Sequence, residues 1–365
     1  MLKNCFSYPV EIVEDVFGQS ETLAKLLRQI TGAEEPRVLL VADVNVVNRT
    51  EALGSKIGRY FQAHSIKMAA SPVVIPGGEK IKADSMQSAS KVISAILDAR
   101  LGVNDVVIVM GGGSLIDVAG YAAAQVRGGI KQLRLPTTLA AMVDAAYSTY
   151  SALDSINVKD ALRIHCSPAA VIVDPLFSKT VLDGVWRGGI SEAVRLSLAS
   201  DGTFFKRLDK LAPAFMERDY GTLVELVQKC IEVRRKKGDA PLGQWAASRL
   251  ESMSAYKLPH GYAVAMAICI DTAYALAKGL VSQSDYEAVE SILKKCGALD
   301  GMQHSRHLLE QGESVILGLD ALRLSAGSVS IAVPVGIGKH KLETEPDRET
   351  YLQVLAGFAK PAAQS

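Results

Sequence analysis

The sequence predicts an α/β fold in two parts: a parallel sheet flanked by helices over residues 1–181 and an α-helical domain over residues 182–365. Three observations predict this division. Strand-like and helix-like segments alternate as far as Asp174, an unbroken apolar run at residues 106–110 indicates a strand buried on both faces, and strand-like runs become rare after about Leu182. A chain of 365 residues also exceeds one ordinary hydrophobic core.

Composition and charge narrow the class of protein. Lysine and arginine total 40 against 39 aspartates and glutamates, which argues against a nucleic-acid partner or an anionic membrane surface. The N-terminal segment has acidic residues and no long apolar core, and the apolar region 263–277 is interrupted by Asp271, so neither a secretory signal nor a membrane span is expected. We therefore expect a cytoplasmic protein. Five cysteines without a CxxC pair argue against finger-type zinc.

The elements of the first part can be assigned in chain order from their periodicity. They are an edge strand at 8–13, a helix at 19–30, a strand at 37–42, a helix at 51–64, a strand at 73–75, a helix at 84–100, the strand at 106–110 with its helix, and strands at 132–135 and 171–173. The second part shows helical periodicity throughout, with one short β segment expected at 329–333.

The central strand runs directly into Gly111, Gly112 and Gly113, and an alanine-rich helix follows. Glycines let the backbone turn and approach a ligand closely, and the positive end of a helix N-terminus favours a phosphate. We expect Ser114 to cap this helix and the turn to cradle a pyrophosphate, so the first part is interpreted as a nucleotide-binding domain. A tight turn without a ligand is the alternative. Asp117 suggests a ribose or metal contact, or else a helix-dipole partner.

Polar residues follow other strands of the predicted sheet. Asp43 ends the strand at 37–42, where side chains face the ligand crevice of an open sheet, although an N-cap role is the alternative. Thr137 and Thr138 follow a proline at the end of the strand at 132–135, with Asp144 on the next turn of the chain. The loop PGGEKIK carries Glu79 and Lys82, and is interpreted either as a nucleotide-edge loop or as a solvated charged loop.

Taken in order, PGGEKIK, GGGSLIDVAG, PTTLAAMVDA, SPAAVIVDP and GISEAV resemble the motifs of the dehydroquinate synthase family and its relatives, the sugar phosphate cyclases. The resemblance implies an NAD-binding α/β domain, an α-helical domain and usually a homodimer. It also implies a small sugar phosphate or related substrate. The residues that it implies for NAD binding are Asp43, Glu79, Lys82, Gly111, Gly112, Gly113, Asp117, Thr137, Thr138, Asp144, Lys159 and Thr180.

The chemistry implied by this resemblance is redox-neutral overall. NAD transiently oxidises a ring hydroxyl, phosphate is eliminated, the hydride returns, and the opened sugar closes by an aldol step. In the family, a divalent metal, usually zinc, polarises the oxidised carbonyl, and lysines and arginines hold the phosphate.

The metal ligands of the family are only partly retained. Glu192 in GISEAV and His260 in LPHGYAVAM match the glutamate and one histidine. Where the family has GHTxGHAxE, this chain reads GQWAASRLE, so both histidines of that motif are absent and Gln244 stands in the first position. A neutral amide is a poor replacement for imidazole on zinc or cobalt. The alternatives are a salt-bridged Glu192 and a buried His260 at a helix start.

The catalytic cluster of the family is altered as well. Tyr150 stands where the family has a lysine, whereas Lys159 is retained. Arg195 replaces the family's lysine three residues after the metal glutamate, and Arg323 occupies the second position of a lysine pair of the family. Arginine keeps the charge of lysine but not its compact ammonium group, whereas tyrosine loses the charge.

Three functions follow from these matches and departures. The first is a cyclase-like lyase, with an altered substrate. The second is a metal-free NAD-dependent oxidoreductase or repurposed family member, in which Tyr150 acts as an acid or hydrogen-bond donor. The third is a non-catalytic protein that retains NAD binding.

Overall fold

A computed structural model describes residues 7–78, 81, 85–155 and 158–359 of the chain. The chain folds into two compact units, and the boundary falls between Leu182 and Asp183. The first unit is built on a parallel sheet and the second is mainly helical, which confirms the predicted α/β fold class with an α-helical C-terminal part.

The sheet of the N-terminal unit is parallel at every strand pair among the described residues. Its strands are β1 (Val10–Ile12), β2 (Arg37–Asp43), β3 (Lys67–Met68), β4 (Val73–Ile75), β5 (Val106–Gly111), β6 (Lys131–Pro136) and β9 (Ala170–Val173). Their spatial order is β1-β9-β6-β5-β2-β3, with β4 also paired to β2. Every residue of β5 is buried, as its apolar run predicts.

Helices connect these strands and cover the sheet. They are α1 (Thr22–Thr31), α2 (Val44–Arg49), α3 (Leu53–Ala63), α4 (Ser85–Asp98), α5 (Gly113–Gln125) and α6 (Leu139–Val143). Two short 3-10 helices, at Ala145–Tyr147 and Pro175–Thr180, complete the connections.

Two features of the sheet differ from the sequence expectation. β1 forms one edge of the sheet beside β9, as the predicted edge strand at 8–13 implies, but the sequence did not indicate the short β3 at the other edge. An antiparallel hairpin of β7 (Tyr150–Ser155) and β8 (Val158–His165) was not expected at all. Exposed and half-buried side chains follow one another along β8, so no continuous apolar run marks it as a strand.

The helical unit contains nine helices among its described residues. They are α7 (Asp183–Ser200), α8 (Gly202–Met216), α9 (Tyr220–Lys237), α10 (Gln244–Met253), α11 (His260–Ala277), α12 (Gln283–Lys295), α13 (Met302–Leu309), α14 (Gly312–Ala326) and α15 (Arg348–Ala359). The β segment expected at 329–333 is β10 (Ser330–Pro334), which pairs with β11 (His340–Thr344).

The apolar helix α11 is the centre of this unit. Its 18 residues are long and apolar enough to cross a membrane by length and composition alone. However, 72% of that stretch is buried inside the protein, where α11 packs against α7 and α10. Covered on these sides, α11 is a core helix of the unit.

Candidate functional site

The register of the sheet brings several predicted ligand residues to one edge. Ala42 pairs with Met110, and Gly111 pairs with Pro136, so β2, β5 and β6 end side by side. Asp43, the glycine turn and Thr137 therefore leave the sheet at adjacent positions. Ligands of open parallel sheets bind at this carboxyl edge.

The glycine turn is required by close packing. A Cβ added to Gly111 would lie 2.6 Å from Leu115 Cδ2, and those added to Gly112 and Gly113 would lie 3.1 Å from Thr138 Cγ2 and 3.0 Å from Ala145 Cβ. None of the three glycines has a positive φ angle. Gly112, not Ser114 as expected, is the N-cap of α5. The helix therefore starts closer to the strand, and its first N–H groups have no acceptor within the helix.

The two threonines after β6 have different environments. Thr138 caps α6 by accepting a hydrogen bond from the backbone N–H of Ala141 at 3.3 Å. Thr137 is fully buried, and its hydroxyl has no hydrogen-bond partner among the described residues. A buried hydroxyl without a partner is costly, so a ligand group that pairs with Thr137 would be favoured.

Asp43 has the capping role that the sequence left as an alternative. Its carboxylate accepts from the backbone N–H of Asn45 at 2.8 Å and caps α2. The backbone of Gly77 packs closely on the same carboxylate, because an added Cβ would lie 1.9 Å from Oδ2. Asp43 is thus fixed at the sheet edge beside a glycine of the PGGEKIK loop. Glu79 and Lys82 of that loop lie outside the described residues.

The remaining NAD candidates lie in three different places. Asp117 is not in the first turn of α5, and its Oδ1 accepts from the backbone N–H of Ala152 at 3.4 Å, so it contacts β7. Asp144 ends α6. Thr180 ends a 3-10 helix and donates its hydroxyl to the carbonyl of Phe177 at 2.8 Å.

The hairpin missed by the sequence analysis carries both Tyr150 and Lys159. Tyr150 begins β7 with 53% of its surface exposed, and its ring meets His165 edge-on at 5.1 Å. Lys159 lies on β8 and is partly exposed. The hairpin therefore presents a phenol and an amine from two paired strands.

Arg134 anchors this hairpin and was also missed. Its guanidinium is fully buried and donates to the carbonyls of Ala146, Ser148 and Cys166 at 3.1, 2.7 and 3.1 Å. Burial lowers the pKa of Arg134 below its usual range. Its place within an apolar strand, LRL, is the sequence signal that could have identified it.

In the helical unit, Glu192 and Arg195 form a buried ion pair one turn apart on α7. Arg195 Nε donates to Glu192 Oε2 at 2.6 Å, and the two side chains are 5% and 3% exposed. Burial disfavours the Glu192 carboxylate, but the Arg195 charge and the His260 contact outweigh it and hold the pKa of Glu192 well below its usual range. The expected salt-bridge alternative for Glu192 is therefore present.

His260 lies between two carboxylates. Its Nε2 is 3.0 Å from Glu192 Oε1, and its Nδ1 is 2.5 Å from Glu251 Oε1. Glu251 is fully buried, whereas the imidazole is 35% exposed. Glu251 was not predicted from the sequence, and the glutamate retained at the end of GQWAASRLE is the signal that could have identified it.

Gln244 and Arg323 lie apart from this cluster. Gln244 is solvent-exposed at the first position of α10, while its neighbours Trp245 and Ala246 are buried. Arg323 is 55% exposed and forms a salt bridge with Glu345. Within the part of the chain that the structure describes, no group of three His, Cys, Asp or Glu side chains is suited to hold a metal ion. The donor set thus does not fit the zinc or cobalt that the family resemblance implies.

Comparison with known proteins places these two regions in context. The family model for the 3-dehydroquinate synthase N-terminal part matches residues 72–187, and that for the 3-dehydroquinate synthase C-terminal part matches residues 240–311. A 3-dehydroquinate synthase of Ruegeria sp. (strain TM1040) is 26% identical over 364 residues, covering 96% of this chain and 94% of its own.

Two solved structures share the fold across nearly the whole chain. One is 2-epi-5-epi-valiolone synthase from Streptomyces hygroscopicus subsp. jinggangensis 5008 with NAD+ and Zn2+ bound, with a TM-score of 0.83, 20% identity and 97% of each chain covered. The other is 2-deoxy-scyllo-inosose synthase complexed with carbaglucose-6-phosphate, NAD+ and Co2+, with a TM-score of 0.78, 18% identity, and 97% and 98% covered.

Proposed function

Because this chain belongs to the 3-dehydroquinate synthase family, we propose that it is an NAD-dependent lyase of the phosphate-eliminating cyclase kind, with an altered substrate. The observation that carries the proposal is the glycine turn, which starts α5 next to Thr137, a buried hydroxyl that has no partner within the described residues. A buried hydroxyl and a helix N-terminus at one sheet edge suit a dinucleotide.

A bound NAD would supply hydride transfer, accepting the hydride from the carbon that bears a substrate hydroxyl and giving it back later in the cycle. The start of α5 would hold its pyrophosphate, and Thr137 would pair with one of its polar groups. The resemblance adds Asp43, Glu79, Lys82, Thr138, Asp117, Asp144 and Thr180 as further contacts of the dinucleotide.

Proton movement is assigned to the residues of the helical cluster. His260 Nε2 and Glu192 Oε1 are 3.0 Å apart, a distance across which a proton can pass between imidazole and carboxylate. Glu251 on the other ring nitrogen fixes the orientation of the imidazole. We propose that this pair takes up and returns the proton of a substrate hydroxyl, with Arg195 holding Glu192 in place.

The hairpin residues are proposed to orient the substrate. Lys159 would donate from its amine to a substrate oxygen, and Tyr150 would donate from its phenol where the family uses a lysine. A phenol carries no positive charge at neutral pH, so Tyr150 would hold a phosphate less strongly than lysine does. This is the reason for proposing an altered substrate, with fewer or differently placed negative charges. Arg323, an exposed residue, is assigned only through the resemblance.

The test supplies NAD and a panel of seven-carbon keto sugars, phosphorylated and unphosphorylated, and measures inorganic phosphate and NADH absorbance together. We expect phosphate release without net NADH, and loss of that release in Lys159→Met. Absence of phosphate release across the panel, with NAD bound, would contradict the lyase proposal.

A metal-free NAD-dependent oxidoreductase is the second candidate. Two observations favour it: no group of His, Cys, Asp and Glu side chains among the described residues is suited to hold a metal ion, and the phenol of Tyr150 is exposed. In the same assay it predicts net NADH and no phosphate.

NAD binding without either product would indicate the non-catalytic role. A homodimer and a cytoplasmic location remain predictions, to be checked by sedimentation and by fractionation.

A further inference from the structure

We infer that the cluster of Glu192, Arg195, Asp239, Glu251 and His260 is completed by cations of the chain itself and takes up no divalent metal. The inference concerns the same site as the proposed function. Its readout is metal content, which does not depend on turnover, so the two can fail separately.

Arg195 occupies the centre of the charge network. Besides Glu192, its guanidinium contacts Asp239, with Nη1 at 3.1 Å from Oδ1, and donates to the carbonyl of Ala240 at 2.5 Å. Arg234 Nη1 lies 3.3 Å from the other oxygen of Asp239. Two carboxylates thus face two guanidinium groups. The third carboxylate of the cluster, Glu251, contacts His260 Nδ1, so all three are already engaged within the chain.

The carboxylate of Glu192 is engaged at both oxygens. Oε2 accepts from Arg195 and Oε1 contacts His260 Nε2. A metal bound between Glu192 and His260 would have to enter this contact, next to a guanidinium that cannot lose its proton. Mutual repulsion between the dication and Arg195 in a buried site would oppose it.

Gln244, at the third ligand position of the family, is exposed at the start of α10. Asp271 accepts from the backbone N–H of Gly243 at 2.6 Å and from Trp245 Nε1 at 3.0 Å, which pins both neighbours of Gln244. Gly243 has a φ of 72° and packs on Ala267, where an added Cβ would lie 3.0 Å away. These contacts fix the backbone of Gly243 and the ring of Trp245, on either side of the exposed Gln244 side chain. A catalytic zinc site takes three protein ligands, and here an exposed neutral amide stands at the place of the third.

The experiment measures metal in the full chain purified without chelator from medium with added zinc and cobalt. Elemental analysis is combined with melting curves in zinc, in cobalt and in EDTA. We expect fewer than about 0.1 metal ions per chain and a melting temperature that neither metal nor EDTA changes. Near-stoichiometric metal that EDTA removes with a fall in melting temperature would overturn the inference if the variants below locate that metal in the cluster.

Two variants locate any metal that is found. In Glu192→Gln and His260→Asn, folding is checked by circular dichroism, and the metal content is measured again. Metal retained by both folded variants is bound outside the cluster and supports the inference. Metal lost from either folded variant overturns it. If neither variant folds, the unaltered chain is measured with cobalt instead. A visible spectrum of a cobalt ion bound to imidazole overturns the inference, and the absence of such a spectrum supports the inference.

Discussion

In the N-terminal unit, the groups that could bind a ligand are backbone N–H groups and a hydroxyl at the edge of a buried sheet. In the helical unit, the candidate site consists of charged side chains that already contact one another. The first arrangement depends on strand register and on glycines, so it tolerates sequence change around it. The second depends on individual side chains. Replacing one histidine or lysine therefore changes its chemistry while the fold persists.

The largest expected effect comes from breaking the charge network. Arg195→Met leaves Glu192 and Asp239 with one guanidinium fewer, and removing one partner of a buried pair costs about 3–5 kcal/mol. Urea unfolding measures it. The matched control is Arg323→Met, which removes an exposed ion pair with Glu345 and should cost less than about 1 kcal/mol. Similar losses in both variants would contradict the network.

A second test contrasts this network with Asp271, a buried carboxylate that has no cationic partner in the part of the chain that the structure describes. Asp271 is held by Tyr351, Trp245 and Gly243, and burial raises its pKa to about 6. The folded state then binds this proton more tightly than the unfolded chain. Its stabilising contribution is complete below about pH 4 and is lost as the pH rises through about 6, which amounts to about 3 kcal/mol.

The measurement for Asp271 is the free energy of unfolding from pH 4 to pH 7 in the unaltered chain and in Asp271→Asn. The difference between the two curves should change in this interval with the stated sign. Glu192 acts in the opposite direction, because a carboxyl group with a lowered pKa stabilises the fold at pH values above its usual pKa. The difference between the two curves is therefore needed to isolate the contribution of Asp271. A difference that is flat across the interval would show that Asp271 does not titrate there.

A smaller effect is expected at the glycine turn. In Gly112→Ala the new methyl group lies 3.1 Å from Thr138 Cγ2, so Thr138 or the start of α5 must move by a few tenths of an ångström. We expect NAD affinity to fall about tenfold, equivalent to about 1.4 kcal/mol. Gly58→Ala on α3 is the control, since an added Cβ has no neighbour within 4 Å there. Unchanged NAD binding in Gly112→Ala would separate the turn from the cofactor.

The smallest effect is expected at Thr137. Thr137→Val removes a buried hydroxyl without a partner among the described residues, so the free protein should be unchanged or more stable by less than about 1 kcal/mol. NAD affinity should fall all the same. Thermal melting with and without NAD measures both, and a loss of stability without NAD would indicate an internal partner for the hydroxyl.

The parts predicted from sequence are those with a strong local signal. The apolar run of β5 predicts the buried sheet, and the glycines that follow predict the turn. The order of the motifs along the chain predicts the family. The hairpin of β7 and β8 has no such signal, because its pairing is antiparallel and its exposed strand lacks an apolar run. Arg134 and Asp239 act through contacts distant in sequence, with Ser148 and Arg195, which residue type alone does not reveal.

The most direct test of the account is a calorimetric titration of NAD into the full chain before and after EDTA treatment, with zinc then added back. If the sheet edge holds the dinucleotide while the helical cluster balances its own charges, the affinity and stoichiometry of NAD should be the same in all three samples. Loss of NAD binding on chelation, restored by zinc, would contradict the account.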